Sequence, residues 1–221
     1  MTRSFCIILF IISGLTCNLY SQTKPPFWDE IETFKKQDSI SPPVSNPILF
    51  VGSSSIRMWV DLEKIFEEHS VLNRGFGGSV INDVIFYADD VIFQYKPRQV
   101  FLYIGENDLP ENNITADIIF SRFKSLYELL RAKLPGISIV YISIKPSPVR
   151  AQYFATAKQT NYLISSYLKN EKNANFIDVY SLMLTKQGNP RPELFLEDML
   201  HMNDKGYSIW RKAVKPYLIK K

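Results

Sequence analysis

Three serines follow a glycine in the segment ILFVGSSSIRMW at 48–59, directly after an apolar run. Such a triplet usually marks a solvated turn, because serine favours turns over strands. A serine hydroxyl can also attack an acyl group, provided that a base takes its proton and a third group holds that base. The segment is therefore either a polar turn or the location of a reactive serine, and the second interpretation requires partners elsewhere in the chain.

The chain contains two histidines, which stand in different contexts. His69, in FEEHSV, ends a polar helix before a strand, where a plain surface role is expected. His201 follows Asp198 by three residues in DMLH, and on a helical turn this spacing puts both side chains on one face. The carboxylate can then hold one imidazole nitrogen while the other faces a nucleophile. A structural hydrogen-bonded pair is the alternative, whereas two histidines supply too few ligands for a usual zinc site.

Candidate donors for a tetrahedral oxyanion occur in two further segments. The turn GFGGS contains Gly78, and the segment GENDL contains Asn107. Backbone amides in tight turns and the side-chain amide of Asn can both stabilise an oxyanion. Glycine and Asn are also common in ordinary turns. Only their combination with a serine and a His–Asp pair indicates an acyl-transfer site.

The elements that must position these residues are predicted from the apolar pattern. Five short apolar runs, ILFVG, SVLN, QVFLYIG, ISIVYISI and ANFIDVY, indicate strands covered on both faces. Helical spacing is found at 79–95, 116–134 and 151–170, and a last helix from Asp204 to Leu218 follows Asn203, a good N-cap. The alternation predicts an α/β fold with a parallel five-stranded sheet between helices. Function is then expected at the carboxyl ends of the strands, where the serine, glycine and Asn motifs stand.

Composition limits the class of protein. The 221 residues suit one domain, and a net charge of +4, from 26 basic and 22 acidic residues, does not suggest a nucleic-acid partner. Residues 1–22 have the pattern of a secretory signal peptide, with a retained membrane anchor as the alternative. We therefore expect a mature domain at 23–221 that is secreted or periplasmic and has no membrane span. Both cysteines lie in the signal segment, so thiol chemistry is not expected in the mature chain.

In chain order, FVGSSS, NRGFGGS, GENDL and DMLH resemble the four sequence blocks of the SGNH (GDSL-type) hydrolases, most closely the secreted bacterial esterase-like members. The resemblance implies a three-layer α/β/α, flavodoxin-like fold and serine-dependent ester hydrolysis without a metal or cofactor. It also implies that Ser54 is the nucleophile, His201 the base and Asp198 the residue that orients the base. The oxyanion hole would consist of the amides of Ser54 and Gly78 and the side chain of Asn107.

One position departs from the family pattern, because Ser53 stands where the family has Asp. A serine hydroxyl can still bond turn amides, so the change is expected to affect the turn more than the reaction. Arg57, Glu106 and Arg150 are candidate substrate contacts at the same strand ends. The expected substrates are short-chain esters, acetyl esters above all, of carbohydrates or other small alcohols. The alternatives are a lysophospholipase or thioesterase acting on longer chains, and an inactive carbohydrate-binding relative.

Overall fold

A computed structural model describes residues 24–220 of the chain. The predicted signal peptide at 1–22 lies outside these residues. At the centre of the described part is one parallel sheet of five strands, in the order β2-β1-β3-β4-β5. The strands are β1 Ile48–Gly52, β2 Val71–Gly75, β3 Gln99–Tyr103, β4 Ser138–Ile142 and β5 Ala174–Ile177. All five predicted strands are thus confirmed, together with their parallel pairing.

The helices connect and cover these strands. They are α1 Trp28–Ile40, α2 Ser54–Arg57, α3 Leu62–Ile65, α4 Ile81–Phe86, α5 Ala88–Val91, α6 Ala116–Lys133, α7 Phe154–Leu168, α8 Val179–Leu182 and α9 Asp204–Val214. Turns of 3-10 helix occur at Glu67–His69, Phe93–Tyr95, Pro148–Tyr153, Pro192–Leu194 and Lys215–Tyr217. Within the described residues, no helix combines the length and the apolar character that a membrane crossing requires.

Two helix predictions need correction. The segment 79–95 is not one helix but α4, α5 and a 3-10 turn, because Tyr87 and Ile92 adopt non-helical backbone angles between them. The last helix ends at Val214 and continues as the 3-10 turn that contains Pro216. Its start was predicted correctly, since the side chain of Asn203 accepts the first free amides of α9 at 3.0 and 3.3 Å.

The sheet separates two apolar clusters, and the alternation of β1 shows how. Leu49 and Val51 face the cluster formed with α1, α4, α5, α6 and α7. Ile48 and Phe50 face the second cluster, which contains Trp210 of α9. All four β1 side chains are inaccessible to solvent. A continuous apolar run is the pattern that such a two-sided burial requires.

The carboxyl ends of the three neighbouring strands β2, β1 and β3 reach the same level of the sheet. Gly52, the last residue of β1, pairs with Gly75 of β2 and with Tyr103 of β3. A Cβ atom at Gly52 would lie 1.9 Å from the Tyr103 carbonyl oxygen, and its φ is +145°, so only glycine fits there. The chain leaves β1 here to enter the serine triplet, with the glycine turn and GENDL on either side.

Candidate active site

The serine triplet forms the junction between β1 and α2. Ser53 is the N-cap, and its carbonyl oxygen accepts the amides of Ile56 and Arg57 at 2.9 and 3.2 Å. Ser54 is therefore the first residue of α2, and it is half-buried while both neighbouring serines are buried. Of the three hydroxyls, the one on Ser54 is thus the most open to a substrate.

A chain of hydrogen bonds joins Ser54 to a carboxylate. His201 Nε2 lies 3.0 Å from Ser54 Oγ, although 147 positions separate the two residues. The other ring nitrogen, Nδ1, lies 2.6 Å from Asp198 Oδ2. An ionised carboxylate can only accept, so Nδ1 donates to Asp198, and Nε2 is then left to accept the proton of the serine hydroxyl. This is the arrangement that converts a hydroxyl into a nucleophile.

Asp198 and His201 lie on a loop and not on the helical turn that their spacing predicted. A bridge between Phe195 and Met202 closes this loop, and Leu196 N donates to His201 O at 2.8 Å. Oδ1 of Asp198 accepts the amides of both Leu200 and His201 at 2.9 Å. The carboxylate therefore fixes the loop with one oxygen and the imidazole with the other.

The ionisation of Asp198 follows from these contacts. Burial alone would raise the pKa of its carboxyl, but the hydrogen bonds from the His201 ring and from the two backbone amides outweigh burial and hold the pKa at about 2. Asp198 is thus an anion at neutral pH. A carboxylate anion beside an imidazole can stabilise the imidazolium form of that ring.

The candidate donors for an oxyanion are Ser54 itself, Gly78 and Asn107. Gly78 has φ +75°, a left-handed conformation suited to glycine. Among residues 24–220, no acceptor is found for the backbone N–H of Ser54 or Gly78. Asn107 Nδ2 donates to Ser79 O at 3.0 Å, which orients the amide and leaves its second N–H available. Backbone and side-chain N–H groups of this kind can stabilise a developing negative charge.

Asp108, next to Asn107, has a structural role. It is completely buried and accepts the amide of Ile81 at 3.2 Å and an Arg122 N–H at 2.8 Å. Burial raises the pKa of this carboxyl, while Arg122 opposes the rise. Asp108 therefore ties the GENDL segment to α4 and α6 and holds the backbone that carries Asn107.

The sequence predicted that the Ser53 hydroxyl bonds turn amides, and this prediction is wrong. Ser53 Oγ is buried, and it has no partner in the part of the chain that the structure describes. Ser55 Oγ is in the same situation, although the Ser55 carbonyl accepts Tyr207 O–H at 3.0 Å. Backbone carbonyls hold the turn, because they accept hydrogen bonds from the amides of α2 without a side chain.

Arg57 lies beside the glycine turn with its side chain half exposed. Its Nε is 3.8 Å from a Glu30 carboxylate oxygen, and Glu30 also accepts the amide of Gly77 at 3.0 Å. Phe27 lies on the same side, 3.9 Å from where a Cβ of Gly78 would be. The start of α1 thus forms a wall beside the oxyanion donors. Nothing in the α1 sequence indicated this role, because the contact spans 47 positions.

Arg150 and Glu106 have different surroundings. Arg150 lies in the 3-10 turn after β4, and its Nε is buried with no hydrogen-bond partner among residues 24–220. Glu106 is buried, with Lys145 Nζ at 2.5 Å and Tyr103 O–H at 2.8 Å. Ser147 donates to its second oxygen. Glu106 therefore has no free oxygen for a substrate, and its placement indicates support of the strand ends instead of substrate contact.

His69 lies just before the amino-terminal end of β2, whereas Ser54 follows the carboxyl end of β1. Its Nδ1 lies 3.1 Å from the Ile219 carbonyl oxygen and donates to it. The five-residue length of β2 separates His69 from the glycine turn. Of the two histidines, only His201 therefore reaches the serine. Within the described residues, no group of three or more His, Cys, Asp or Glu side chains is arranged to hold a metal ion.

The profile of the GDSL-like lipase/acylhydrolase family matches residues 48–209, and the chain belongs to this family of hydrolases. The matched region contains the serine triplet, the glycine turn, GENDL and the Asp198–His201 loop. No curated protein sequence matches the chain significantly.

Solved structures share the fold at low sequence identity. A protein provisionally described as a platelet activating factor from Streptococcus pneumonia is 22% identical, with a TM-score of 0.75 over 86% of this chain and 92% of its own. A GDSL-like lipase from Bacteroides thetaiotaomicron is 21% identical, with a TM-score of 0.70 over 85% and 96%. An acetylxylan esterase from Geobacillus stearothermophilus, solved as a catalytic mutant, is 16% identical, with a TM-score of 0.63 over 81% and 96%.

Proposed function

We propose that this protein is a serine esterase that removes short acyl groups, acetyl above all, from carbohydrates or other small alcohols. The observation that carries the proposal is the hydrogen-bonded series from Ser54 Oγ through His201 to Asp198, with distances of 3.0 and 2.6 Å. Both contacts that acyl transfer needs are present, and the carboxyl of Asp198, with its pKa held at about 2, is ionised. Export of the mature domain is part of the same proposal.

In the first half of the reaction, Ser54 Oγ attacks the ester carbonyl carbon while His201 Nε2 takes the hydroxyl proton. The carbonyl oxygen becomes an oxyanion that accepts hydrogen bonds from the amides of Ser54 and Gly78 and from Asn107. When this intermediate collapses, the bond to the alcohol oxygen breaks. That oxygen takes the proton from His201, and the acyl group remains on Ser54.

In the second half, a water molecule replaces the departed alcohol. His201 Nε2 takes one proton of the water as its oxygen attacks the acyl carbon. Collapse of the second intermediate breaks the bond to Ser54 Oγ, which recovers the proton from His201. The products are a carboxylic acid and the free enzyme, and Asp198 stays ionised throughout.

Two observations support a preference for short acyl groups. Phe27 and Glu30 form a wall against Gly78 and Gly77, next to one of the proposed oxyanion donors. The Geobacillus neighbour is an acetylxylan esterase, although 16% identity carries only the fold. Longer acyl chains, as in a lysophospholipase or a thioesterase, would have to pass this wall.

The test combines turnover with labelling of the nucleophile. The purified mature protein is incubated with p-nitrophenyl acetate and, separately, with a serine-directed fluorophosphonate, and any adduct is located by peptide mass spectrometry. We expect turnover and a single adduct on Ser54, with both lost in Ser54→Ala. Ser55→Ala is the matched control and should keep both signals, because Ser55 lies outside the hydrogen-bonded series.

The outcomes separate the alternatives. Faster turnover of octanoyl than of acetyl esters would replace the short-chain proposal with a long-chain hydrolase. Absence of both turnover and adduct would favour an inactive carbohydrate-binding protein. An adduct on Ser53 or Ser55 in place of Ser54 would contradict the assignment of the nucleophile.

A further inference from the structure

A cavity of about 820 Å³ lies between the segment after α2 and the start of α9. The apolar part of its lining includes Met58, Val60 and Leu196. Its polar part contains two acidic and two basic side chains, Asp61, Asp204, Lys205 and Arg211. The volume is in the range of sites that hold a small ligand. None of these side chains takes part in the hydrogen-bonded series of the active site.

Two walls of this cavity are connected to the reacting groups. Met58 follows Ser54 by one helical turn, and Met58 N donates to Ser54 O at 2.8 Å, so their side chains share one face of the turn. Leu196 is paired with His201 across the closed loop, with Leu196 N donating to His201 O at 2.8 Å. Met58 and Leu196 thus connect the lining of the cavity to the backbone of Ser54 and His201, on the side of the molecule that carries α9.

The chemistry of the proposed reaction decides which half of an ester can reach this cavity. His201 must give its proton to the alcohol oxygen, so the alcohol half has to lie on the His201 side of Ser54. The candidate donor Gly78 lies beside Phe27, which packs against the apolar cluster on the other face of the sheet from α9. The alcohol half is thus directed towards the cavity, and the carbonyl oxygen is directed away from it.

On the basis of the proposed esterase function, we propose that this cavity binds the alcohol half of the ester, and that this alcohol is a neutral, polyhydroxylated molecule such as a sugar. Two acidic and two basic side chains balance each other, and Asp61 and Arg211 already pair at 3.4 Å, which disfavours a charged ligand. Their oxygens and nitrogens can bond hydroxyl groups. The apolar surfaces of Met58, Val60 and Leu196 suit the C–H faces of a sugar ring.

The experiment compares selectivity for the alcohol with selectivity for the acyl group. Leu196→Arg places a long cationic side chain at the cavity. The first ratio, which measures selectivity for the alcohol, is kcat/KM for an acetylated methyl xyloside divided by kcat/KM for ethyl acetate. The second ratio, which measures selectivity for the acyl group, is kcat/KM for p-nitrophenyl acetate divided by kcat/KM for p-nitrophenyl butanoate. We expect the first ratio to fall about tenfold, as the loss of a few ligand contacts would produce. The second ratio should stay within twofold of its wild-type value.

Two further variants make the result decisive. Val60→Arg acts at the opposite wall, and because Val60 is 92% exposed this change does not threaten folding. Leu182→Arg changes an exposed leucine that does not line the cavity, and both ratios should be unaffected by it. A shift of the acyl ratio, or no shift of either ratio in the two cavity variants, would overturn the proposal.

Failure of the esterase function itself would give a different result. Wild-type protein would then turn over no ester and acquire no fluorophosphonate on Ser54. Binding of the unacetylated methyl xyloside to Ser54→Ala, measured by calorimetry, tests the cavity independently of turnover. The proposal requires binding that Leu196→Arg weakens about tenfold, and equal binding or no binding in both proteins would contradict it.

Discussion

Two acid–base pairs lie at the same edge of the sheet, and they differ mainly in burial. In the His201–Asp198 pair the atoms are 2.6 Å apart, and the side chains are 22% and 47% exposed. In the Lys145–Glu106 pair they are 2.5 Å apart, and the exposed fractions are 0% and 4%. Solvent screens the first pair, so its contribution to stability is small. The second pair has lost its hydration and depends on its mutual contacts.

The difference indicates a division of labour between the pairs. Burial lowers the pKa of Lys145, and the neighbouring Glu106 opposes this effect. Tyr103 and Ser147 donate further hydrogen bonds to Glu106 and hold the pair in place. The backbone around Glu106 carries Asn107, and Ser147 Oγ reaches to within 3.5 Å of Leu200 O on the loop of Asp198 and His201. Loss of the exposed pair should therefore abolish chemistry and spare the fold. Loss of the buried pair should instead destabilise the fold before it affects the chemistry.

The largest effect is expected from His201→Ala. Without a base, Ser54 keeps its proton, and kcat should fall by about 10⁴ to 10⁶-fold, as for other members of catalytic triads. Steady-state hydrolysis of p-nitrophenyl acetate measures the loss. His69→Ala is the control and should change kcat by less than about twofold, because among residues 24–220 that ring bonds Ile219 O at 3.1 Å and not Ser54. Similar losses in both variants would refute the choice of base.

Asp198→Asn should follow, with a loss in kcat of about 10⁴-fold. The new amide would donate towards Nδ1 of His201 and favour the tautomer in which Nε2 carries the proton and cannot act as base. The free energy of unfolding at neutral pH should change by less than about 1 kcal/mol, since the pair is exposed. Urea unfolding beside the kinetic assay checks both statements. A variant that unfolds readily yet keeps its kcat would reverse the comparison.

Lys145→Met should act on stability instead. It leaves the Glu106 carboxylate buried without its charged partner, which destabilises proteins by about 3–5 kcal/mol. The double variant Glu106→Gln/Lys145→Met should recover much of this loss, because no charge then remains buried. Urea unfolding monitored by tryptophan fluorescence measures both variants. A loss below about 1 kcal/mol in the single variant would show that the pair contributes little to the fold.

Local patterns in the sequence account for most of the fold and for the choice of site. Continuous apolar runs identified the strands, because a strand buried on both faces leaves no alternation. The serine, glycine and Asn motifs each follow one of these runs, so a parallel sheet had to bring them to one edge. The breaks at Tyr87 and Ile92 were missed because the apolar spacing of 79–95 fits a continuous helix, and packing decided otherwise.

Contacts between distant residues account for what the sequence did not reveal. Glu106 and Lys145 are 39 positions apart, and Glu30 and Gly77 are 47 apart, so no local pattern announces either contact. The spacing of Asp198 and His201 indicated their contact but not its geometry. Met199, with φ +55°, turns the loop so that one carboxylate oxygen meets two amides and the other meets the ring.

The smallest effect concerns the dependence of stability on pH. The pKa of Asp198 is about 2 in the folded chain, below the ordinary value of 3.8. A lowered carboxyl pKa means that the unfolded chain binds the proton more readily, so the contribution of Asp198 to stability is present above about pH 4 and is lost as the pH falls towards 2. The difference in unfolding free energy between wild type and Asp198→Asn should therefore shrink over this interval. Because Asp198 is half exposed, the difference at pH 7 should stay below about 1 kcal/mol. A difference that is the same at pH 7 and pH 2 would mean that the charge of Asp198 does not stabilise its loop.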